Sequence, residues 1–187
     1  MKEFRVLSPS AILGYGFPKE SFEEGMKRHP DVIACDAGSS DPGPYYLGAG
    51  ISFTDVAAVK RDLSIMIPAA IEAGIPVIVG TSGGSGATPH LEINRRLVME
   101  IAKEHNLSFK YAEISSEFDK ETIHYNLKEG RISPLGPVPE LTDKDIDESI
   151  HIVAQMGEEP FMEALEGGAQ VIMAGRSYDP AVFASLA

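Results

Sequence analysis

Three polar loops follow apolar runs in this sequence, and each loop carries side chains that could do chemistry. The first begins at Asp36 after the apolar residues 32–35, and the second begins at Gly80 after residues 75–79. The third follows residues 169–173. Short apolar runs bounded by turn residues indicate buried strands. Ligands of an open α/β sheet bind beyond the carboxyl ends of its strands, so we expect the three loops to converge on one site.

Asp36 and Asp41 are candidate catalytic residues of the first loop, which covers residues 36–50. Their carboxylates could orient a ligand hydroxyl, bind a divalent cation, or act as acid and base. Asp41 also starts an Asp-Pro-Gly sequence that is typical of a turn, which gives it a structural interpretation. Ser39 and Ser40 are hydroxyl donors in the same loop and are predicted to bind substrate. Neither serine has a base close in sequence, which disfavours a serine nucleophile.

The second loop, residues 80–87, is rich in Gly, Ser and Thr and lies between a predicted strand and a predicted helix. Glycines let backbone amides approach a ligand, and the N-terminus of the following helix favours an anion. The loop lacks the P-loop lysine and does not match G-x-G-x-x-G, so no dinucleotide is expected. The alternative interpretation is a tight turn with capping hydroxyls. The predicted ligands of a carboxylate or carbonyl oxygen are Thr81, Ser82, Gly83, Gly84, Ser85 and Gly86.

The third loop carries Arg176 and Asp179 on either side of Tyr178. An arginine at a strand end could bind a carboxylate or phosphate through its planar fork of donors. The alternative is an ion pair between Arg176 and Asp179 that holds the loop in place. Both residues are therefore candidates for substrate binding.

His90 follows the second loop and could be a general acid or base, or a metal ligand. A surface histidine in the first turn of a helix is the alternative. The other four histidines lie in predicted helices or at helix ends, and we expect them to be solvated: His29, His105, His124 and His151. The single cysteine, Cys35, is expected to be a buried apolar residue.

Predicted strands and helices alternate along the chain. Strands are predicted over residues 4–7, 32–35, 75–79, 107–114 and 169–173, and helices over residues 21–28, 54–73, 89–105, 119–129, 142–156 and 160–165. Ser21 with Glu24, Thr54, and either Thr142 or Asp143 are candidate caps, and Pro68 should kink or split its helix. This alternation predicts an open, mostly parallel sheet with helices on both faces, a three-layer Rossmann-like α/β fold. Residues 1–187 are predicted to form one such domain.

Composition and charge restrict the function classes. The chain has 187 residues and a formal net charge of −12 at pH 7, which argues against the basic surface that nucleic-acid binding needs. No apolar run is long enough to span a bilayer, so no membrane partner is expected. One cysteine excludes an internal disulfide framework, and residues 1–5 do not resemble a signal peptide, which together favour the cytoplasm.

The apolar segment that starts at Pro180 is predicted to form the first turns of a further helix. Val182, Phe183 and Leu186 have no following sequence on which to pack. We therefore expect a homo-oligomer or a partner subunit to cover them, or the segment to be loosely ordered.

Five motifs resemble the acyclic terpene utilisation (AtuA) family. They are residues 7–10, 14–16, 35–48, 80–86 and 174–180, and the chain is similar to the N-terminal portion of a longer family architecture. The family takes its name from citronellol and geraniol breakdown, whose intermediates are acyl-CoA thioesters. The resemblance implies a cytoplasmic catabolic enzyme, or its catalytic portion, that acts on a small carboxylate or acyl-CoA thioester by lyase, hydratase or isomerase chemistry. The alternative is a non-catalytic binding or scaffolding subunit that a partner chain completes.

Overall fold

One five-stranded parallel sheet organises the chain in a computed structural model that describes residues 3–186. The strand order across the sheet is β1-β2-β3-β5-β4. The strands are β1 (Val6–Leu7), β2 (Val32–Asp36), β3 (Val77–Gly80), β4 (Tyr111–Ile114) and β5 (Val171–Ala174). Because β2, β3 and β5 are neighbours that run in the same direction, their carboxyl ends lie side by side at one edge.

Eight helices and one 3-10 turn connect these strands within residues 3–186. The helices are α1 (Lys19–Met26), α2 (Tyr45–Ala49), α3 (Val56–Ala73), α4 (Thr88–Glu104), α5 (Lys120–Lys128), α6 (Asp143–Glu148), α7 (Glu159–Glu166) and α8 (Ala181–Ala184). The 3-10 turn covers Ser82–Gly84, between β3 and α4. No helix in the described range is long and apolar enough to cross a membrane.

Two apolar layers cover the two faces of the sheet. Buried side chains of α3 and α4 pack on one face, and side chains of α7 and α8 pack on the other. The central strands β2, β3 and β5 are buried along their whole length, which explains their continuous apolar sequences. The predicted three-layer α/β fold is confirmed.

Several predicted helix boundaries are wrong. Helix α1 begins at Lys19 after Pro18, which places Ser21 inside its first turn instead of at its cap. Asp55, and not Thr54, caps α3, because its Oδ1 accepts hydrogen bonds from the amides of Ala57 and Ala58.

Pro68 does not split α3, which is continuous from Val56 to Ala73. Proline removes one backbone hydrogen bond. The buried stripe that includes Leu63, Met66 and Ile67 keeps the helix against the sheet on both sides of that position.

The first loop and the segment after α6 also differ from expectation. Residues 45–49 of the predicted loop form the short helix α2. Helix α6 has the predicted cap at Thr142 but ends at Glu148 instead of near residue 156. The chain leaves the helix there because Val153 forms an antiparallel bridge with Glu117.

The expectation that another chain covers Val182, or that its segment is loosely ordered, is wrong for that residue. Val182 is buried on this chain's own sheet, where α8 contacts β2 and β3. Phe183 and Leu186 are partly buried against the same apolar layer.

Candidate functional site

The three polar loops meet at the carboxyl edge of the sheet, as predicted. The amide of Ala37 donates to the carbonyl of Gly80, which joins the first loop to the second. The amide of Thr81 donates to the carbonyl of Gly175, which joins the second loop to the third. Both bonds are 3.0 Å long. The loops that carry the candidate residues are therefore held together by backbone hydrogen bonds.

Asp36 ends β2 and is buried with only 5% of its surface exposed. Its Oδ2 accepts a hydrogen bond of 3.0 Å from the amide of Gly38, whereas its Oδ1 has no hydrogen-bond partner within residues 3–186. Burial raises the pKa of Asp36 to about 6, the Gly38 hydrogen bond opposes this, and the negative charge of Asp179 adds to it. A Cβ on Gly80 would lie 3.1 Å from Oδ1 and 2.6 Å from the Ser177 hydroxyl, so the glycine makes room for both groups.

Thr81 and Ser177 form a buried link between the second and third loops. The amide of Thr81 donates to the Ser177 hydroxyl at 3.2 Å, and the amide of Ser177 donates to the Thr81 hydroxyl at 3.3 Å. Thr81 holds a left-handed backbone with φ of 45°, which is costly for a β-branched residue. The hydroxyl of Thr81, a predicted substrate ligand, is therefore already used within the protein.

The second loop is a tight turn in which several amides have internal partners. Gly84 donates to the carbonyl of Thr81, and both Ser85 and Gly86 donate to the carbonyl of Ser82. These contacts fit the turn interpretation of the loop. Ser82 itself is buried, and its hydroxyl has no partner within the described range. The carbonyl of Gly83 accepts the amide of Phe53, which joins the turn to the chain before α3.

Gly86 brings the second and third loops into backbone contact. It has φ of 77°, and a Cβ placed on it would lie 2.1 Å from the amide nitrogen of Arg176. Ser116 joins the same two residues, because its hydroxyl donates to the carbonyl of Gly86 and accepts from the amide of Arg176. The backbone of Arg176 is therefore fixed from two sides.

A pocket of about 320 Å³ opens where the loops meet. Residues of all three loops line it together with Val153 from the segment after α6: Ser39, Ser40, Gly43, Pro44, Leu47, Ser85, Val153 and Arg176. Four of the predicted site residues, Ser39, Ser40, Ser85 and Arg176, are thus brought together. The guanidinium of Arg176 makes no salt bridge or hydrogen bond within residues 3–186, and Asp179 is exposed. The alternative of an Arg176–Asp179 pair is wrong for this arrangement.

Asp41 is exposed and forms a turn with Ser39. The Ser39 hydroxyl donates to Oδ2 of Asp41 at 3.1 Å, and the amide of Asp41 donates back to that hydroxyl at 3.2 Å. Asp41 does not line the pocket. These contacts fit the turn interpretation of Asp41. Through them Asp41 positions the hydroxyl of Ser39.

His90 is fully buried, so the alternative of a surface histidine is wrong. Its Nε2 lies 3.2 Å from the carbonyl of Tyr46 and 3.0 Å from that of Ile51, contacts that require a protonated Nε2. Burial lowers the pKa of His90, and its Nδ1 has no partner within the described range. His90 therefore holds the end of the first loop and does not line the pocket.

The family model for the acyclic terpene utilisation family protein AtuA matches residues 56–187 of the chain. The chain belongs to the AtuA family. The match includes the second and third loops, with Ser85 and Arg176, and begins after the Asp36 loop. No curated protein and no solved structure matches this AtuA-family chain.

Sequence reasoning missed a carboxylate–histidine pair next to Val153, which lines the pocket. Nδ1 of His151 lies 2.5 Å from Oε1 of Glu117, and both side chains are largely buried. The expectation of a solvated His151 in a helix is wrong, because His151 lies in the extended segment that ends at the Val153 bridge. His151 lies two residues before Val153, the one residue of this segment that lines the pocket, and the predicted helix over residues 142–156 concealed that spacing.

The cysteine and the other histidines take no part in the pocket. Cys35 is buried as predicted; burial raises the pKa of its thiol, which donates to the carbonyl of Ser10. His29 and His105 are exposed, whereas His124 is bonded to Asp143 and Asp147. Residues 3–186 hold no group of three or more His, Cys, Asp or Glu side chains that could bind a metal ion.

Asp62 on α3 is a second buried carboxylate that sequence reasoning missed. Its Oδ2 accepts hydrogen bonds from the amides of Gly14 and Gly16, at 2.9 Å and 3.1 Å. Its Oδ1 accepts from the guanidinium of Arg61 at 2.7 Å. Both oxygens of Asp62 therefore have partners, and the carboxylate anchors the chain before α1.

Proposed function

We propose that this chain is a cytoplasmic catabolic enzyme, or the catalytic portion of one, that acts on a small carboxylate or an acyl-CoA thioester by lyase, hydratase or isomerase chemistry. The observation that carries the proposal is the Arg176 guanidinium in the pocket, which has no anionic partner within residues 3–186. Family membership supports the catabolic assignment.

Arg176 supplies the charge that binds the substrate. A guanidinium presents parallel N–H donors that match a carboxylate or phosphate, and the hydroxyls of Ser39, Ser40 and Ser85 line the same pocket. The volume of about 320 Å³ is at the small end of ligand pockets, so it suits a short carboxylate or the acyl end of a thioester. The bulk of a coenzyme A group would extend outside the pocket.

Asp36 supplies the proton transfer. A carboxyl group with a pKa of about 6 is divided between its two protonation states near neutral pH, which suits a general acid or base. Oδ1 is the atom that would exchange the proton, since Gly38 occupies Oδ2. Asp36 does not line the pocket in this structure, so the role requires the first loop to bring its carboxyl group to the substrate, where it removes a proton from the carbon beside the carbonyl.

The test is a thermal-shift titration of the wild-type protein with sodium malonate and with acetyl-CoA. We expect at least one of these compounds to raise the melting temperature, and Arg176→Met to abolish that rise. Arg28→Met is the matched control, because Arg28 is exposed near the amino end of β2 and does not line this pocket. A rise that survives in Arg176→Met, or the absence of a rise with both compounds, would contradict the proposal.

The alternative, a non-catalytic binding or scaffolding subunit, is favoured by exposed apolar residues in the chain around α5 and α6. Leu135 is 98% exposed. Other exposed apolar side chains of the same region are Tyr125, Val138 and Ile150. Such side chains are typical of a surface that a homo-oligomer or partner subunit covers. Size-exclusion chromatography with light scattering tests this, because a monodisperse monomer that turns over a thioester needs no partner.

A further inference from the structure

The geometry points to His151, oriented by Glu117, as a second proton-transfer residue of the Arg176 pocket. This inference rests on the proposed function, because it concerns the ligand that Arg176 binds. Loss of water by a lyase or hydratase is aided by one group that takes a proton from carbon and another that protonates the leaving oxygen. Asp36 is the first of these groups, and His151 is the second.

Glu117 fixes the orientation of the His151 ring. Its Oε1 lies 2.5 Å from Nδ1 of His151, and its Oε2 accepts a hydrogen bond of 2.7 Å from the amide of Thr88, the first residue of α4. Burial tends to raise the pKa of Glu117, but the hydrogen bonds from Thr88 and His151 outweigh it and the pKa lies below its ordinary value. A carboxylate at Nδ1 leaves Nε2 as the nitrogen that can exchange a proton.

The extended segment directs His151 toward the pocket. Val153 pairs with Glu117 in an antiparallel bridge, and the amides of Phe118 and Ala154 donate across it. Residues two apart on an extended strand share a face, and so do residues opposite each other in an antiparallel pair. His151, Val153 and Glu117 therefore share one face, and Val153 on that face lines the pocket.

The far side of the His151 ring reaches the helix that borders the pocket. A Cβ placed on Gly50, which ends α2, would lie 3.7 Å from Nε2 of His151. Leu47, on the same helix, lines the pocket. Nε2 has no hydrogen-bond partner within residues 3–186. His151 does not itself line the pocket, but its Nε2 lies beside Gly50, three residues after the lining residue Leu47, and is not used by the fold.

The reaction balances with these two groups. The Asp36 carboxylate takes a proton from the carbon beside the carbonyl, the carbon–carbon double bond forms, and the carbon–oxygen bond breaks. The leaving oxygen takes the proton from Nε2 of the His151 imidazolium and departs as water. Asp36 then returns its proton to His151 through solvent, and hydration is the same sequence in reverse. The Glu117 carboxylate bonds Nδ1 and so orients the ring with Nε2 as the nitrogen that gives up the proton.

A purely structural role for the pair is the competing explanation, since Glu117 also binds the first amide of α4. The test is carbethoxylation with diethyl pyrocarbonate, which needs an accessible, unprotonated imidazole nitrogen, followed by peptide mass spectrometry. His124 is the matched control, because carboxylates bond both of its nitrogens. We expect His151 to react several times faster than His124, and Glu117→Gln to slow His151 while the protein stays folded.

Sodium malonate supplies the second half of the test. We expect it to slow carbethoxylation of His151 severalfold in the wild type, to have no effect on His124, and to lose its effect in Arg176→Met. If malonate raises the melting temperature through Arg176 but does not protect His151, the inference is wrong and the proposed function stands. If His151 does not react at all, Nε2 is closed and the inference is wrong. If neither malonate nor acetyl-CoA binds, the proposed function fails and the inference fails with it.

Discussion

The end of β2 and the middle of α3 each bury an aspartate, and the two surroundings are opposite. Both oxygens of Asp62 on α3 accept hydrogen bonds, from two backbone amides and from Arg61. Asp36 on β2 receives one amide hydrogen bond and keeps Oδ1 without a partner within the described range. A buried carboxylate with full hydrogen bonding stabilises a fold, whereas one left partly unsatisfied has a raised pKa and can exchange a proton. The difference assigns Asp62 to the scaffold and supports the role proposed above for Asp36.

Asp62→Ala should have the largest effect on stability. The substitution leaves the partly buried amides of Gly14 and Gly16 without their acceptor and removes the partner of Arg61. We expect the free energy of unfolding to fall by about 3 kcal/mol, because two amide donors lose their acceptor. Urea denaturation measures it. Asp62→Asn is the matched control and should lose less, because its remaining oxygen can still accept from an amide; equal losses would contradict the hydrogen-bond explanation.

Asp36→Asn should change how stability depends on pH. The folded pKa of Asp36 lies above its unfolded value, so its protonated form contributes stability that is complete below about pH 4 and is lost as the pH rises through about 6. A shift of about two pKa units corresponds to a change on the order of 3 kcal/mol. The variant cannot ionise here and should gain stability relative to the wild type between pH 4 and pH 7. If the unfolding free energies of the variant and the wild type differ by the same amount at every pH, the pKa of Asp36 is not raised in the folded protein.

The same Asp36→Asn protein should lose catalysis while it remains folded. Asparagine keeps the acceptor for the Gly38 amide but cannot take a proton. We expect a rate loss of about a hundredfold or more at substrate saturation. The measurement is turnover of the thioester or carboxylate that the thermal-shift titration identifies. Full activity in the folded variant would show that Asp36 has a structural role, as Asp62 has, and not a catalytic one.

Arg61→Met should have a smaller effect than either aspartate change. The guanidinium of Arg61 bonds Oδ1 of Asp62 and the carbonyl of Phe17, but its side chain is half exposed. Solvent therefore compensates for part of the loss, and we expect a decrease in unfolding free energy of about 1 kcal/mol. Urea denaturation of Arg61→Met and Asp62→Ala under the same conditions compares the two losses of unfolding free energy. A loss as large as that of Asp62→Ala would mean that the ion pair, and not the two amides, determines the role of Asp62.

Asp41→Asn should have the smallest effect of the set. Asp41 is exposed, and asparagine keeps both the oxygen and the backbone that bond Ser39. We expect the unfolding free energy to change by at most about 0.5 kcal/mol. Turnover should be unchanged within error. A rate loss like that of Asp36→Asn would show that exposed and buried aspartates of the first loop act together.

The sequence predicts the position of Asp36 well because four apolar residues before it require a buried strand that ends there. It predicts the meeting of the loops for the same reason, since neighbouring parallel strands end at one edge. It does not predict that the amides of Gly84, Ser85 and Gly86 are used inside their own turn, because glycine-rich loops that bind anions and those that only turn have the same composition. The partners of a side chain depend on distant segments, which composition does not record.

The histidines illustrate the same limit. His90 lies in a first helical turn, a position that is exposed in many helices, and only the packing of residues 46–51 over it makes it buried. His151 lies after an acidic helix whose pattern continues in sequence, and only the distant partner Glu117 pulls the chain into an extended form. Pairings between segments far apart in sequence decided both outcomes, and no local pattern contains them.

The Ser116 hydroxyl joins the carbonyl of Gly86 to the amide of Arg176, at the point where those two backbones touch. The amide and carbonyl of Arg176 are both occupied, since that carbonyl accepts the amide of Met156. The segments around these residues therefore cannot open one at a time without breaking the bonds of the others. We therefore expect the pocket wall to open as one cooperative unit, so that a ligand that rigidifies part of it restrains the carboxyl edge of the sheet.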